Sequence, residues 1–166
     1  MDPFLAWLEA TTLSTWVRES PSVFAFPAIL SCHTVGMGLA AGINAALALR
    51  ILGAARGIAI REMKRFFPVM WFGFWLNAIS GVVLLIAYPT KALTNPLFYF
   101  KLALVAVAVA LVRPITQRAF GGPDPTSNPI DQRLKRQVII SLVCWAGVII
   151  SGRLLAYTYS RLMQGF

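Results

Sequence analysis

Negative charge and imidazole are what this chain has least of: six carboxylates and one histidine in 166 residues. The acids are Asp2, Glu9, Glu19, Glu62, Asp124 and Asp131, and none falls inside a long apolar run. Paired carboxylates for acid–base work are therefore excluded. With two cysteines and one histidine there is no zinc-site spacing. Nor is there a nucleophile–base pair or a phosphate-cradling loop, so no independent hydrolytic or transferase activity is expected. Charge of either sign is scarce. Charged residues make up 13% of the chain against 58% hydrophobic ones, and the mean hydropathy is +0.70. A soluble domain of this length needs far more charge to cover its surface.

What the chain has instead is long apolar runs. Four qualify as membrane spans, about 21–49, 66–88, 97–112 and 137–163. Crossing a hydrocarbon core takes roughly 20 helical residues. The third run is short, and one more turn at either end brings it to length. Continuous rather than alternating hydrophobicity selects helices over a barrel. The expected fold class is all-α: an integral membrane four-helix bundle, residues 20–166 forming one domain.

Residues 1–19 carry Asp2 and Glu9 where a signal peptide needs a basic start. They read as an interfacial amphipathic helix, with Phe4, Leu5, Trp7, Leu8 and Trp16 in the headgroup layer. Asp2-Pro3, Ser20-Pro21, Asn95-Pro96 and Asn128-Pro129 each pair a helix-capping residue with proline at the first helical position. "GGPDPTSNP" from Gly121 reads as a flexible linker.

The net charge of +9 comes from 15 Lys and Arg against those six acids. The basic residues gather in two segments between apolar runs, which argues for membrane topology and against nucleic acid. Arg50, Arg56, Arg61, Lys64 and Arg65 follow the first span. Arg113, Arg118, Arg133, Lys135 and Arg136 follow the third. Only Arg18, Lys91 and Arg161 stand on the opposite side. By the positive-inside rule both basic loops are cytoplasmic and both termini are outside, which in a bacterial inner membrane means periplasmic.

Depth then decides which polar residues are costly. His33 lies about 18 Å along a helix that starts at Pro21, and Arg153 about 15 Å from the far end of the fourth span. Asn77 falls mid-span, with Ser80, Ser151 and Tyr157 near its level. Lys101 is about 7 Å inside the third span. On the first span, His33, Met37, Ala40 and Asn44 share one helical face. Asn77, Ser80, Leu84 and Tyr88 do so on the second, and Ile149, Arg153 and Tyr157 on the fourth. All three faces are expected to turn inward, away from lipid. Gly38-x-x-x-Gly42 is expected to allow close helix approach, and Pro27 to kink the first span before His33.

The candidate cofactor-binding residues are thus His33, Met37, Asn77, Lys101, Arg153 and Tyr157. Arg153 has no carboxylate within the spans, and a charged arginine near mid-membrane costs at least about 2.5 kcal/mol. Water, helix-end carbonyls, a lipid phosphate, the acidic groups of a cofactor or simple snorkelling would offset it. Snorkelling also accounts for Lys101. His33 has several readings: an interhelical hydrogen-bond donor, an axial haem ligand, or a metal or quinone contact. Copper is the weaker cofactor, because the adjacent Cys32 and His33 point in different directions on a helix. Both Cys32 and Cys144 read as small apolar fillers.

Three stretches carry a resemblance: "RESPSVFAFPAILSCHTVGMGLAAGINAALALRILG", "NPLFYFKLALV" and "CWAGVIISGRLLAY". Together they resemble an uncharacterised family of small bacterial four-helix inner-membrane proteins. Its His-x-x-Gly, Arg-x-Leu-Gly and Gly-Arg-x-x-Ala-Tyr motifs match His33–Gly36, Arg50–Gly53 and Gly152–Tyr157 here. The general look is similar to copper-resistance and cytochrome b-type bundles. Those have more histidines, so a bis-histidine haem within one subunit is out of reach. The function expected is a redox-associated membrane subunit holding haem, quinone or a lipid-like ligand in the outer half of the bundle. The alternatives are an accessory subunit of a larger membrane complex and a small-anion transporter. Membrane lipids are expected partners, and a homo-oligomer or larger complex is expected because four helices enclose little volume.

Overall fold

The computed structural model describes residues 3–54, 57–121 and 131–163, and every regular element among them is helical. In chain order these are α1 (Pro3–Glu9), α2 (Thr12–Glu19), α3 (Phe26–Ile51), a 3-10 helix (Ile60–Phe66), α4 (Phe67–Ala87), α5 (Pro89–Leu93), α6 (Pro96–Phe120) and α7 (Gln132–Met163). Four apolar stretches are long enough to cross a membrane: Phe26–Ile51, Ile60–Ala87, Pro96–Phe120 and Gln132–Leu155. The chain is an all-α four-helix bundle of the multi-pass membrane type.

The bundle is assembled from two hairpins. Helix α3 packs along α4, and α6 along α7, while the hairpins meet mainly through α3 and α7. Small residues set the first contact. A Cβ on Gly36 would lie 2.6 Å from the Gly73 carbonyl oxygen and the Asn77 nitrogen, and one on Gly73 would lie 2.5 Å from the Leu39 side chain. The backbones of α3 and α4 therefore touch at Gly36 and Gly73. The expected Gly38/Gly42 approach is not where the helices meet: a Cβ at either would have nothing within 4 Å. Both project away from α4 because the crossing uses the face of Gly36 and Ala40.

Toward the end that carries the 3-10 helix, Leu47, Ile51, Met63, Ile115, Ala119, Leu134 and Val138 form a buried apolar cluster. At mid-height Ala40, Ala41, Ala108, Cys144 and Trp145 form a second, with Met37, Phe74 and Leu104 against it. The first cluster explains why α6 outruns its apolar composition and continues through Pro114 to Phe120. Proline removes one backbone donor, and burial of Ile115 and Ala119 against α7 offsets the loss. Arg113 and Arg118 consequently stand on helix rather than in a loop.

At the opposite end, the N-terminal amphipathic segment is two helices, not one. Thr11 breaks it and caps α2, its hydroxyl accepting from the Ser14 N–H. Phe4 and Trp7 stay exposed, at 61% and 63%, while Val17 is buried. Arg18 pins this layer down. Its guanidinium donates to the carbonyl of Ala87 at 3.2 Å, to that of Glu9 at 3.0 Å and to the Ser14 hydroxyl at 3.0 Å. Ala87 closes α4, so the cation sits where the helix dipole favours it.

Of the four cap–proline pairs, Asn95-Pro96 starts α6, with the Asn95 side chain accepting from Leu97 N–H at 3.0 Å. Ser20-Pro21 does not start a helix. Ser20 instead ends α2, its hydroxyl accepts from Ser22 N–H, and α3 begins at Phe26. Pro27 therefore occupies the first turn of α3, where its missing N–H costs nothing, and puts no kink before His33. Asp2, Asn128 and the 122–130 linker lie outside the described residues.

Candidate cofactor site

The imidazole of His33 reaches from α3 onto α4. Its Nδ1 is 3.0 Å from the Asn77 carbonyl oxygen and 3.3 Å from the Ser80 hydroxyl. A carbonyl only accepts, and the Ser80 hydroxyl already donates to Leu76 O at 2.6 Å. The Asn77 side-chain amide also stands 3.3 Å from Nδ1, but the shorter contact is to a carbonyl and favours the proton on Nδ1, which in a neutral ring leaves Nε2 with the lone pair. Among the described residues Nε2 has no hydrogen-bond partner. Asn77 completes a reciprocal link, its amide donating to the His33 carbonyl at 2.7 Å. Gly81 makes room for the ring, since a Cβ there would come within 3.0 Å of Cε1.

Lys101, on α6, is half-buried and close enough for its charge to act on the His33 ring. It lies over Gly152 of α7, where a Cβ would stand 3.7 Å from Nζ. No hydrogen bond or ion pair engages the ammonium among the described residues. All four spanning helices thus contribute here: α3 the imidazole, α4 its clamp, α6 the cation and α7 the glycine beneath it. An acceptor nitrogen and a cation, with no carboxylate alongside, suit a ligand that presents acidic, hydroxyl or carbonyl groups, or a metal that brings its other ligands with it.

Among the sequence-derived candidates, His33 and Asn77 are hydrogen-bonded to each other and Ser80 joins them, with Lys101 within electrostatic range of the ring. Met37 does not: it packs against the mid-height cluster with Trp145 and Cys144. Arg153 and Tyr157 are exposed rather than turned inward, Tyr157 at 66%. The reason is the register of α7. It buries Cys144, Val148 and Ser151 against the bundle, which carries Ile149, Arg153 and Tyr157 to its outer face. Cys32 is exposed, so the vicinal thiol points away from His33. Among the described residues no group of three or more His, Cys, Asp or Glu gathers as a metal site. Two glycines of this site, Gly81 and Gly152, were invisible as site residues because only tertiary packing shows what each makes room for. Comparison with protein-family models, with curated proteins and with solved structures gives no match to this chain.

Proposed function

We propose that this protein is a redox-associated subunit of the bacterial inner membrane that holds a lipid-phase cofactor at His33 and Lys101. The observation that carries this reading is the contact of Nδ1 with the Asn77 carbonyl, which favours the tautomer that leaves Nε2 as an acceptor. A clamped imidazole of this kind suits two cofactors. It can ligate haem iron, with Lys101 facing the haem's acidic groups, or it can accept the hydroxyl proton of a quinol while Lys101 donates to the second oxygen. With a single histidine, haem would have a non-histidine sixth ligand, five-coordinate iron, or a second subunit's contribution.

In this account both termini face the periplasm, both basic segments are cytoplasmic, and the site lies in the outer half of the bilayer. The apolar flank of α4, where Phe72, Trp75 and Ile79 are each about 60% exposed, serves lipid contact or assembly with further subunits. The family resemblance of the His33, Arg50 and Gly152 motifs belongs to the same proposal. Purification from membranes, followed by a visible spectrum and by solvent extraction of bound quinones, tests it. A Soret band or a stoichiometric quinone is expected in the wild type, and its loss in His33→Gln. A wild type carrying neither would overturn the redox reading and leave the accessory-subunit alternative.

A further inference from the structure

Helices α4 and α6 do not pack closely along their length, unlike α3 with α4 or α6 with α7. A small cavity of about 10 Å³ lies in this seam, below the His33 level, between Asn44 of α3, Met70, Trp71 and Phe74 of α4, Val109 of α6 and Trp145 of α7. Its lining is apolar apart from two groups. Trp145 is 4% exposed, and its indole N–H is buried without a hydrogen-bond partner. Asn44 is 8% exposed and uses one amide hydrogen on the Ala40 carbonyl at 2.8 Å, keeping the rest of its carboxamide. A buried N–H left unpaired is unfavourable, and an indole N–H can only donate.

We infer that this seam is a second binding site, for the carbonyl oxygen of a planar, lipid-soluble molecule that enters sideways between α4 and α6. The cavity has room for about a single water, so the acceptor atom enters and the ring that carries it stays in the seam. Trp71 stands 38% exposed at the mouth, edge-to-face with Phe74 at 5.6 Å. These rings offer a flat aromatic head the offset contacts it prefers. The polarity is opposite to that of His33: this site donates to a carbonyl, whereas Nε2 accepts from a hydroxyl. The proposal does not rest on the His33 reading.

Equilibrium binding of 2-methyl-1,4-naphthoquinone and of 2-methylnaphthalene to the protein in lipid nanodiscs, corrected with empty discs, separates carbonyl recognition from partitioning. The wild type is expected to bind the quinone at least tenfold more tightly than the hydrocarbon. Trp145→Phe keeps a ring and removes the N–H, and should abolish most of that preference. Asn44→Leu should reduce it, whereas Trp75→Phe, on the exposed flank of α4, should leave it intact. Circular dichroism melts identify any variant that has lost the fold. Equal binding of the two probes, or a preference that survives Trp145→Phe, overturns the proposal. So does a preference abolished by His33→Gln with the fold intact, which would assign the binding to the upper site.

Discussion

Gly36→Ala is the sharpest perturbation of the bundle, because the added methyl meets backbone and not a movable side chain. Its carbon would fall 2.6 Å from both Gly73 O and Asn77 N, whereas ordinary contact begins at 3.4 Å. Helices α3 and α4 must then separate locally by about 0.8 Å. The same displacement stretches the links between His33 and Asn77, now 2.7 and 3.0 Å, to or beyond the 3.5 Å limit of a hydrogen bond. Overpacking of this kind costs roughly 1–3 kcal/mol, and interhelical hydrogen bonds in membranes average about 0.6 kcal/mol each. Alanine returns up to about 1 kcal/mol in helix propensity. The net expectation is a loss of about 1–3 kcal/mol, together with loss of any ligand held by His33. Thermal unfolding in detergent, followed by circular dichroism, measures the first, and cofactor content measures the second. A Gly36→Ala protein as stable as the wild type, with its ligand retained, would refute the glycine crossing. Gly38→Ala, which meets nothing, is the matched control and should be neutral or stabilising.

Three further outcomes are expected. In a cysteine-free background, a periplasmic thiol reagent should label Lys91→Cys but not Pro123→Cys; the reverse pattern would invert the topology. Arg153→Leu should insert and fold normally, and be neutral or stabilising in detergent melts, because the side chain stands on the outer face of α7; loss of a bound lipid or cofactor on this change alone would show that the arginine holds a ligand from outside. Arg18→Ala removes charge-assisted bonds to Ala87 and Glu9 and should cost about 1.5–3 kcal/mol, with faster proteolysis of residues 1–19; unchanged protection would mean that apolar contacts alone dock that layer.

Much of the bundle was legible because membrane spans are written in composition, and composition does not depend on partners. The His33 and Asn77 faces were legible for a related reason: polar groups on an apolar helix turn toward one another. Arg153 was not, since periodicity cannot say which face of α7 the neighbours choose. Ser20-Pro21 starts no helix because a good cap signal competes with other local turns, here the C-terminus of α2. The third span runs further than its apolar composition suggests: Pro114 and Arg113 look like an ending in sequence, and only the buried contacts of Ile115 and Ala119 show that the helix continues. Trp145 and Asn44 gave no sign of sharing a cavity, since one reads as a core aromatic and the other as a helix-face amide.

Because the chain has one histidine, ¹⁵N-histidine labelling yields one imidazole and an unambiguous nuclear magnetic resonance readout. In protein stripped of ligand, the expected spectrum has Nδ1 protonated and Nε2 bare. Loading with haem or with a quinol should move the Nε2 resonance strongly and the Nδ1 resonance little. An Nε2-protonated ring, or an Nε2 signal indifferent to both cofactors, would contradict the claim that His33 is the ligand-binding residue.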